Sequence, residues 1–263
     1  MSAAMNGIRE RETFRKFFES WVGEQDRYLE LLTSASKDYQ NGAANGDSGE
    51  RGLRPLIRRV MEHYEQYYRS KSRWAKRDVL EMLKPPWRSS LENAFMWIGG
   101  WRPSMAFHLL YSKSGMQLED HLEEVIRGLA TGDLGDLSEA ELSRVDQLQR
   151  EIIRRERNLT EKMAKLQETV ADAAMVELSH LVSESMRGDH NQAEDERVET
   201  ELASKEEKME KVLHEADDLR LGTLKRVVDI LTPIHAVHFL IAAAELHLRL
   251  HEWGMRKEAI DNN

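Results

Sequence analysis

The sequence predicts an all-α protein, folded as a single helical-bundle-like domain with long antiparallel helices. Glu, Lys, Arg, Leu and Ala are abundant, whereas the 263 residues include 5 prolines, and this composition favours helices. Apolar residues recur at steps of three, four and seven over long segments, which is the spacing of one buried helical stripe. Two capping boxes, Ser89 with Glu92 and Ser138 with Glu141, mark helix N-termini.

Composition and charge exclude several classes of protein. Apolar residues make up 40% of the chain, enough for a core, but no run approaches the ~20 apolar residues of a membrane span. The absence of cysteine excludes disulfides, thiolate metal sites and covalent c-type haem. The net charge of -9 argues against direct nucleic-acid binding, because phosphate contacts require a positive surface. We therefore expect a protein of the nucleus and cytoplasm that binds neither membranes nor nucleic acid directly.

The first helix is predicted over about Arg9 to Leu32, after a disordered N-terminus of residues 1–8. Its broad apolar stripe consists of Phe14, Phe17, Phe18, Trp21, Tyr28, Leu29 and Leu32. Such a stripe either packs on the core or leaves aromatic anchors for a partner helix or groove. A flexible loop rich in glycine, asparagine and serine follows at about residues 40–52.

The segment from Arg51 to Arg77 is predicted to be a basic amphipathic helix. It contains nine Arg or Lys residues and two Glu, and its apolar residues keep helical spacing. The basic face is either solvated or meets an acidic protein, calmodulin, nucleic acid or the chain's own acidic stretch. Asp78 can cap a short helix through Leu83, which Pro85 and Pro86 would end.

The stretch from Trp87 to Ser104 is predicted to be the structural hub of the fold. A helix should begin near Ser90 and bury Leu91, Ala94, Phe95 and Ile98. The two glycines can adopt the positive φ that ends a helix, and Pro103 suits the first turn of the next one. The hub residues are Trp87, Trp97, Gly99, Gly100 and Trp101.

The remaining chain is predicted to consist of helices and short breaks. The second hub helix continues from Met105 to Tyr111, and a helix from Leu118 to Leu129 and a loop from Gly132 to Asp136 follow. A long helix is predicted from Ser138 through Met186, and a bend near residues 172–174 stays open, because apolar spacing does not report one. The rest of the chain is predicted as an acidic loop at about 187–200, a helix from Lys205, a last helix from Pro233 to Trp253, and a tail at 255–263. No nucleophile elbow, phosphate loop or di-metal pattern occurs, so we do not expect an enzyme.

Two histidines of the last helix form its sharpest chemical feature. His247 and His251 are four residues apart and therefore lie side by side on one face, a spacing that suits an iron or zinc site. Both nitrogens would approach from the same side, which favours one axial ligand with the other histidine behind it, or ligands from elsewhere. Alternatively, the histidines are structural residues that interact with the negative end of the helix.

The string WRSSLENAFMWIGGWRPSMAFHLLYS resembles the signature of the Delay of Germination domain of plants, which is shared with the C-terminal part of TGA-type bZIP transcription factors. The resemblance extends from about Phe14 to Trp253 and implies one domain over residues 9–254. It implies a non-enzymatic regulator of seed dormancy and abscisic acid signalling. The alternative is a TGA-like transcription-regulatory and dimerisation module, and we expect no basic region or leucine zipper ahead of the domain.

Two shorter strings carry further implications of the same resemblance. FFESWVGEQDRYLEL resembles the segment through which Delay of Germination proteins bind clade A type 2C protein phosphatases, which implies Phe18, Glu19, Ser20, Trp21 and Tyr28 as partner-binding residues. LHLRLHEWG resembles the segment to which haem b binding is attributed in that branch, which implies His247 and His251 as ligands. TGA factors lack this histidine pair. The TGA-like alternative implies a homodimer.

Overall fold

Five long helices dominate the described part of the chain, which in the computed structural model comprises residues 2–41, 47–113, 137–185 and 192–261. The α-helices are α1 (Ser2–Gln40), α2 (Asp47–Ala75), α3 (Val79–Leu83), α4 (Ser90–Ala94), α5 (Met105–Lys113), α6 (Glu139–Glu168), α7 (Ala173–Ser185), α8 (Gln192–Ile230) and α9 (Pro233–Asp261). These described residues contain no β-strand, so the all-α prediction is confirmed. None of these helices has the length and apolar character needed to cross a lipid bilayer.

The long helices pack antiparallel, as their side-chain contacts show. Three ion pairs join α6 and the turn after it to α8: Glu151 with Arg226, Lys162 with Glu215, and Asp172 with Lys205. The residue numbers rise along α6 while those of their partners on α8 fall, so the two helices run in opposite directions. The same reversal relates α1 to α9: Phe18 with His251, Trp21 with His247, and Ser36 with His238. The predicted antiparallel arrangement is therefore present.

Helix α9 lies at the centre of the fold. It contacts α1, α2, α4, α5 and α8. Seven consecutive residues in its first half are buried: Ala236, Val237, His238, Phe239, Leu240, Ile241 and Ala242. A helix that is buried on every side must be surrounded by other elements, because an apolar surface all round cannot face water.

Several predicted helix ends are wrong, and the helices are longer than expected. The N-terminus predicted to be disordered is helical from Ser2, and α2 begins at Asp47, inside the loop predicted at about 40–52. The acidic loop predicted at about 187–200 is helical from Gln192, because acidic residues in a first turn suit the positive end of a helix. The tail predicted at 255–263 is helical to Asp261, and the pair Glu252–Arg256 spans one turn there. The predicted segments at 118–129 and 132–136 lie outside the described residues.

The long helix predicted from Ser138 through Met186 is interrupted. A 3₁₀ turn, Thr169–Ala171, follows α6, and Asp172 is extended. The hydroxyl of Thr169 donates to the carbonyl of Leu166, and the carboxylate of Asp172 accepts a hydrogen bond from the first turn of α7. Short polar side chains that bond to the nearby backbone compete with helix continuation, which explains the break.

The hub helix α4 is a single turn, which the apolar spacing did not predict. Its capping box is confirmed, since Ser89 and Glu92 each bond to the other's backbone N–H. However, the helix ends at Ala94, and Phe95 is 63% exposed instead of buried. The chain leaves the helix early because a tight turn at residues 97–100 directs it back.

This turn, here called the glycine turn, is held by two hydrogen bonds between the backbones of Trp97 and Gly100. Its central residues Ile98 and Gly99 have φ values of 43° and 69°, the sign pattern of a type I′ turn. A Cβ atom on Gly99 would lie 2.8 Å from the backbone oxygen of Met82 and from Leu213. A Cβ atom on Gly100 would lie 2.9 Å from the guanidinium of Arg220. Both glycines are therefore required by close packing, whereas only Gly99 has a positive φ.

A buried ionic cluster fixes the glycine turn from the side of α8. Arg220 is fully buried and donates hydrogen bonds to the carbonyl oxygens of Trp97, Ile98 (2.8 Å) and Trp101 (2.7 Å). Arg220 also pairs with Asp217 at 2.5 Å. The Lys71 ammonium bridges the same carboxylate at 2.9 Å and the carbonyl oxygen of Gly99 at 2.8 Å. We call Arg220, Asp217 and Lys71 the buried ionic cluster.

The first prediction concerns the glycines. Replacement of Gly99 by alanine should destabilise the protein by ~2–4 kcal/mol, because it combines an unfavourable φ with a backbone contact that is too close. Replacement of Gly222 is the matched control, since this helical glycine has nothing within 4 Å of a built Cβ atom. Gly222→Ala should stabilise the protein by ~0.5–1 kcal/mol. Urea unfolding followed by circular dichroism measures both, and equal effects would contradict the described packing.

The second prediction concerns the buried ionic cluster. Arg220→Met should cost ~3–5 kcal/mol of unfolding free energy, because it removes one charged partner of the buried Asp217 and the guanidinium donors to three carbonyl oxygens. Arg226→Met is the control on the same helix, where the partner Glu151 is at the surface and the pair is worth at most ~1 kcal/mol. A urea midpoint for Arg220→Met close to that of the control would show that the cluster does not stabilise the fold.

Candidate functional site

The predicted cofactor and partner residues meet at one place in the structure. On α9, the ring of His247 lies 5.5 Å from that of Trp21 on α1. One turn later, the ring of His251 lies 5.9 Å from that of Phe18. The histidine pair therefore packs against the aromatic stripe of the first helix, although Trp21 and His247 are 226 positions apart in the sequence.

The Glu92 carboxylate connects the hub to this histidine pair. One of its oxygens, Oε2, accepts hydrogen bonds from the Ser89 backbone (2.9 Å), the Ser89 hydroxyl (2.8 Å) and His251 Nδ1 (3.0 Å). Burial would raise the pKa of Glu92, but the hydrogen bonds from His251 and Ser89 outweigh it and lower the pKa to about 2. Glu92 is therefore an ionised structural acceptor. Its capping spacing was recognisable in the sequence, but its contact with His251 was not.

Gly254 allows α9 to approach the capping box. A Cβ atom at this position would lie 1.9 Å from the Ser89 hydroxyl, so no side chain fits. This contact explains the glycine of the string HEWG, whereas the adjacent Trp253 is 41% exposed. Spacing along the sequence gave no signal for it, because Ser89 and Gly254 are distant in the chain.

The other two histidines of α9 also have partners in neighbouring helices. The Nδ1 atom of His235 lies 3.2 Å from Glu141, which belongs to the second capping box. The Nε2 atom of His238 lies 2.9 Å from the hydroxyl of Ser36 on α1. Histidines of α9 thus form hydrogen bonds with both capping boxes and with α1, so these histidines have a structural role.

An apolar cavity of about 150 Å³ adjoins His247. Helices α1, α2, α5, α8 and α9 and the hub all contribute to its wall. Its aromatic lining includes Trp21, Tyr64, Tyr67, Tyr68, Trp101 and Phe239. Its polar lining includes Arg88, Glu92 and His247. The cavity is thus lined by aromatic and aliphatic side chains with a few polar groups, as small-molecule sites usually are.

The five partner-binding candidates divide into buried and exposed residues. Phe18 and Trp21 are 1% and 5% exposed and belong to the core, so in this structure they are not contact residues. Glu19 and Ser20 are exposed, and Tyr28 is half-buried beneath the Arg59 guanidinium. Only the latter three can meet a partner without rearrangement of the core.

The three tryptophans of the hub contact residues of other helices. Trp87 is buried against Phe14 at a ring distance of 4.7 Å. Trp97 and Trp101 are half-buried, and their indole N–H groups donate to Thr160 and Tyr68, both at 2.9 Å. The Arg220 guanidinium lies 5.3 Å from the Trp97 ring, so this tryptophan covers the buried ionic cluster.

The described residues do not fit a haem held between His247 and His251. His247 lines the cavity, but His251 does not, and its Nδ1 atom is bonded to Glu92. A cavity of about 150 Å³ is smaller than the ~300 Å³ at which pockets for drug-sized ligands begin. Among the residues described, no group of three or more His, Asp or Glu side chains could hold a metal ion. Haem binding stays a prediction that this geometry does not favour.

The third prediction concerns pH. Burial lowers the pKa of His247 to about 3 and that of His63 to about 4, from 6.5. The unfolded chain therefore binds more protons below pH 6.5, so stability should fall as the pH drops from 6.5 towards 4, by up to ~1.4 kcal/mol per pH unit and histidine. His247→Leu should flatten this slope in urea unfolding between pH 7 and 4. The exposed His214→Leu is its control, and an unchanged slope for His247→Leu would refute the assignment.

Known proteins resemble this chain over most of its length. The sequence model described as DOG1: Seed dormancy control matches residues 29–112. Protein DOG1-like 3 of Arabidopsis thaliana is 30% identical over 248 residues, which cover 92% of this chain and 83% of that protein. Protein DOG1-like 4 of the same plant is 32% identical over 266 residues and covers both chains completely. Transcription factor TGA2 of Arabidopsis thaliana is 29% identical over 88% of this chain and 60% of its own length.

The matches include the parts of the structure that the hub organises. The residues matched by the family model contain the capping box, the glycine turn and the hub residues Trp87, Trp97 and Trp101. The match to Protein DOG1-like 4 spans the whole chain and therefore includes α9. Because of these matches, the chain belongs to the DOG1 family of seed dormancy control, and it shares a region of similarity with TGA transcription factors.

Proposed function

We propose that this protein is a non-enzymatic regulator of seed dormancy and abscisic acid signalling that acts by binding clade A type 2C protein phosphatases. Membership of the DOG1 family, over 92% of the chain in the comparison with Protein DOG1-like 3, is the observation that carries the proposal. A protein of this kind would act in the nucleus and cytoplasm, where its signalling partners would be.

The chemistry of the buried acids and bases supports a role without catalysis. The strongly acidic Glu92 and Glu141 have pKa values of about 2, and both are committed to capping boxes. Burial lowers the pKa of Lys71 to about 8, but its ammonium bridges Asp217 and a backbone carbonyl. Groups with perturbed pKa values can mark active sites, but each of these groups makes hydrogen bonds that stabilise the fold.

The outward side of α1 is the surface best placed for a phosphatase. Its inner side packs on α2 and α9, so a partner can reach only the opposite side. Residues at helical spacing on that side are exposed, and we call them the outer strip: Glu19, Ser20, Gly23, Arg27 and Leu31. Leu31 is 45% exposed and provides an apolar anchor among polar neighbours. Tyr28 borders the strip.

The fourth prediction tests this surface. The double variant Ser20→Arg/Leu31→Asp should weaken binding to a clade A type 2C phosphatase at least ~tenfold, because it adds charge and removes the apolar anchor. Both residues are exposed, so the fold should be retained. Val170→Asp is the control, since Val170 is a 68% exposed residue between α6 and α7. Biolayer interferometry gives the affinity, and a phosphopeptide assay shows whether bound phosphatase is inhibited.

Two outcomes would contradict the proposal. Wild-type protein that does not bind the phosphatase would refute the partner, and unchanged binding of the double variant would refute the outer strip. Variants of Phe18 or Trp21 cannot make this distinction, because both residues are in the core and their loss would weaken folding.

A TGA-like regulatory and dimerisation module is the second candidate. It is favoured by the similarity to Transcription factor TGA2 over 88% of this chain. In that case the protein would contact DNA-bound complexes through other proteins and would form a homodimer. A dimer in light scattering, together with no phosphatase binding, would support this candidate over the first.

A further inference from the structure

The polar groups that line the apolar cavity beside His247, here called the aromatic cavity, have charges that cancel. Arg88 is cationic and Glu92 is anionic, because its pKa is about 2. Burial keeps His247 neutral by lowering its pKa to about 3. The net charge of this lining is therefore zero, so a charged occupant would leave the cavity with a net charge that the lining does not balance. A neutral occupant is the better match.

One donor and one acceptor in this lining have no hydrogen-bond partner among the described residues. The Arg88 Nε atom is buried and unpaired, although the guanidinium donates to the Tyr67 hydroxyl at 3.5 Å and lies over the Phe18 ring. The Glu92 Oε1 atom is also buried and unpaired, whereas Oε2 accepts the bonds from Ser89 and His251. A buried polar atom without a partner is costly, so each favours a ligand that supplies one.

The size of the cavity limits that ligand. A volume of about 150 Å³ is comparable to an engineered apolar cavity that binds benzene. The surrounding tyrosine, tryptophan and phenylalanine rings suit a planar apolar body. A single ring with a small polar substituent fits this volume.

We propose that the cavity binds a small neutral compound with one apolar ring and a planar group, such as a carboxamide, that carries an acceptor and a donor side by side. The acceptor receives the Arg88 Nε–H, and the donor meets Glu92 Oε1. The ring lies among Trp21, Tyr64 and Trp101. Such a ligand would touch α1, α2, α9 and the hub together and would stabilise their packing, because it binds only the folded chain.

Three probes of similar size test the recognition in the wild-type protein. Benzamide has the ring, the acceptor and the donor, benzoate replaces the donor with a negative charge, and toluene has only the ring. Two-dimensional NMR of the indole N–H groups reports on binding, because Trp21 and Trp101 line the cavity, whereas the exposed Trp253 is an internal reference. Benzamide should shift both lining signals saturably and bind at least ~tenfold more tightly than benzoate or toluene.

Variants assign the binding to the cavity. Arg88→Met should weaken benzamide binding at least ~tenfold and leave toluene binding unchanged, because the Nε–H donor is lost and the apolar lining of the cavity is retained. Arg54→Met is the control on the exposed side of α2 and should change nothing. Ala243→Leu fills the cavity from α9 and should abolish the binding of every probe. If Arg88→Met does not fold, the three probes and Ala243→Leu still decide the question.

Several results would overturn the proposal. Signal shifts that do not saturate with benzamide would mean that the unpaired Arg88 Nε and Glu92 Oε1 atoms form hydrogen bonds only with water. Tighter binding of benzoate would make the site an anion site, and equal binding of toluene would remove any polar recognition. Unchanged benzamide binding in Ala243→Leu would place the probe elsewhere on the protein.

Discussion

The fold depends on a buried guanidinium that holds a turn of the backbone. The five N–H donors of an arginine have a fixed planar arrangement, so the carbonyl oxygens of Trp97, Ile98 and Trp101 are positioned together by Arg220. Burial of this charge would be unfavourable by itself, but the Asp217 carboxylate compensates it, and the Lys71 ammonium donates to the same carboxylate and to the Gly99 carbonyl oxygen. The positive φ values in the turn are tolerated because these bonds specify one conformation.

The consequences of this constraint extend across the molecule. With the glycine turn fixed to α8, the short helix α4 has a defined position, and Glu92 in its capping box can accept from His251 on α9. The lack of a side chain at Gly254 brings α9 against the same capping box. The aromatic stripe of α1 then packs on the histidine pair. A continuous series of contacts therefore joins α8, the hub, α9 and α1, and the aromatic cavity lies within it.

The features that were predicted correctly depend on neighbours in the sequence. A capping box needs residues three apart, and a helical stripe needs spacings of three and four, so both can be recognised locally. Arg220 and Trp97 are 123 residues apart, and nothing near Arg220 distinguishes it from the solvated charges of an acidic helix. The same reason explains Phe95, which has helical spacing but is exposed because the turn ends the helix before it. The burial of Phe18 and Trp21 likewise depends on α2 and α9, which follow far along the chain.

Substitutions on the two sides of α1 should have different effects. On the inner side, Trp21 stacks on His63 with ring centroids 4.7 Å apart and also contacts the ring of His247, so a change there alters folding first. On the outer strip, Ser20 and Leu31 contribute little to the core and can meet a partner without such a cost. Because Trp21 also lines the cavity, a ligand there would stiffen the inner side of the helix whose outer strip we propose as the partner surface. Coupling between the two sites would therefore require no large movement, only a change in the rigidity of α1.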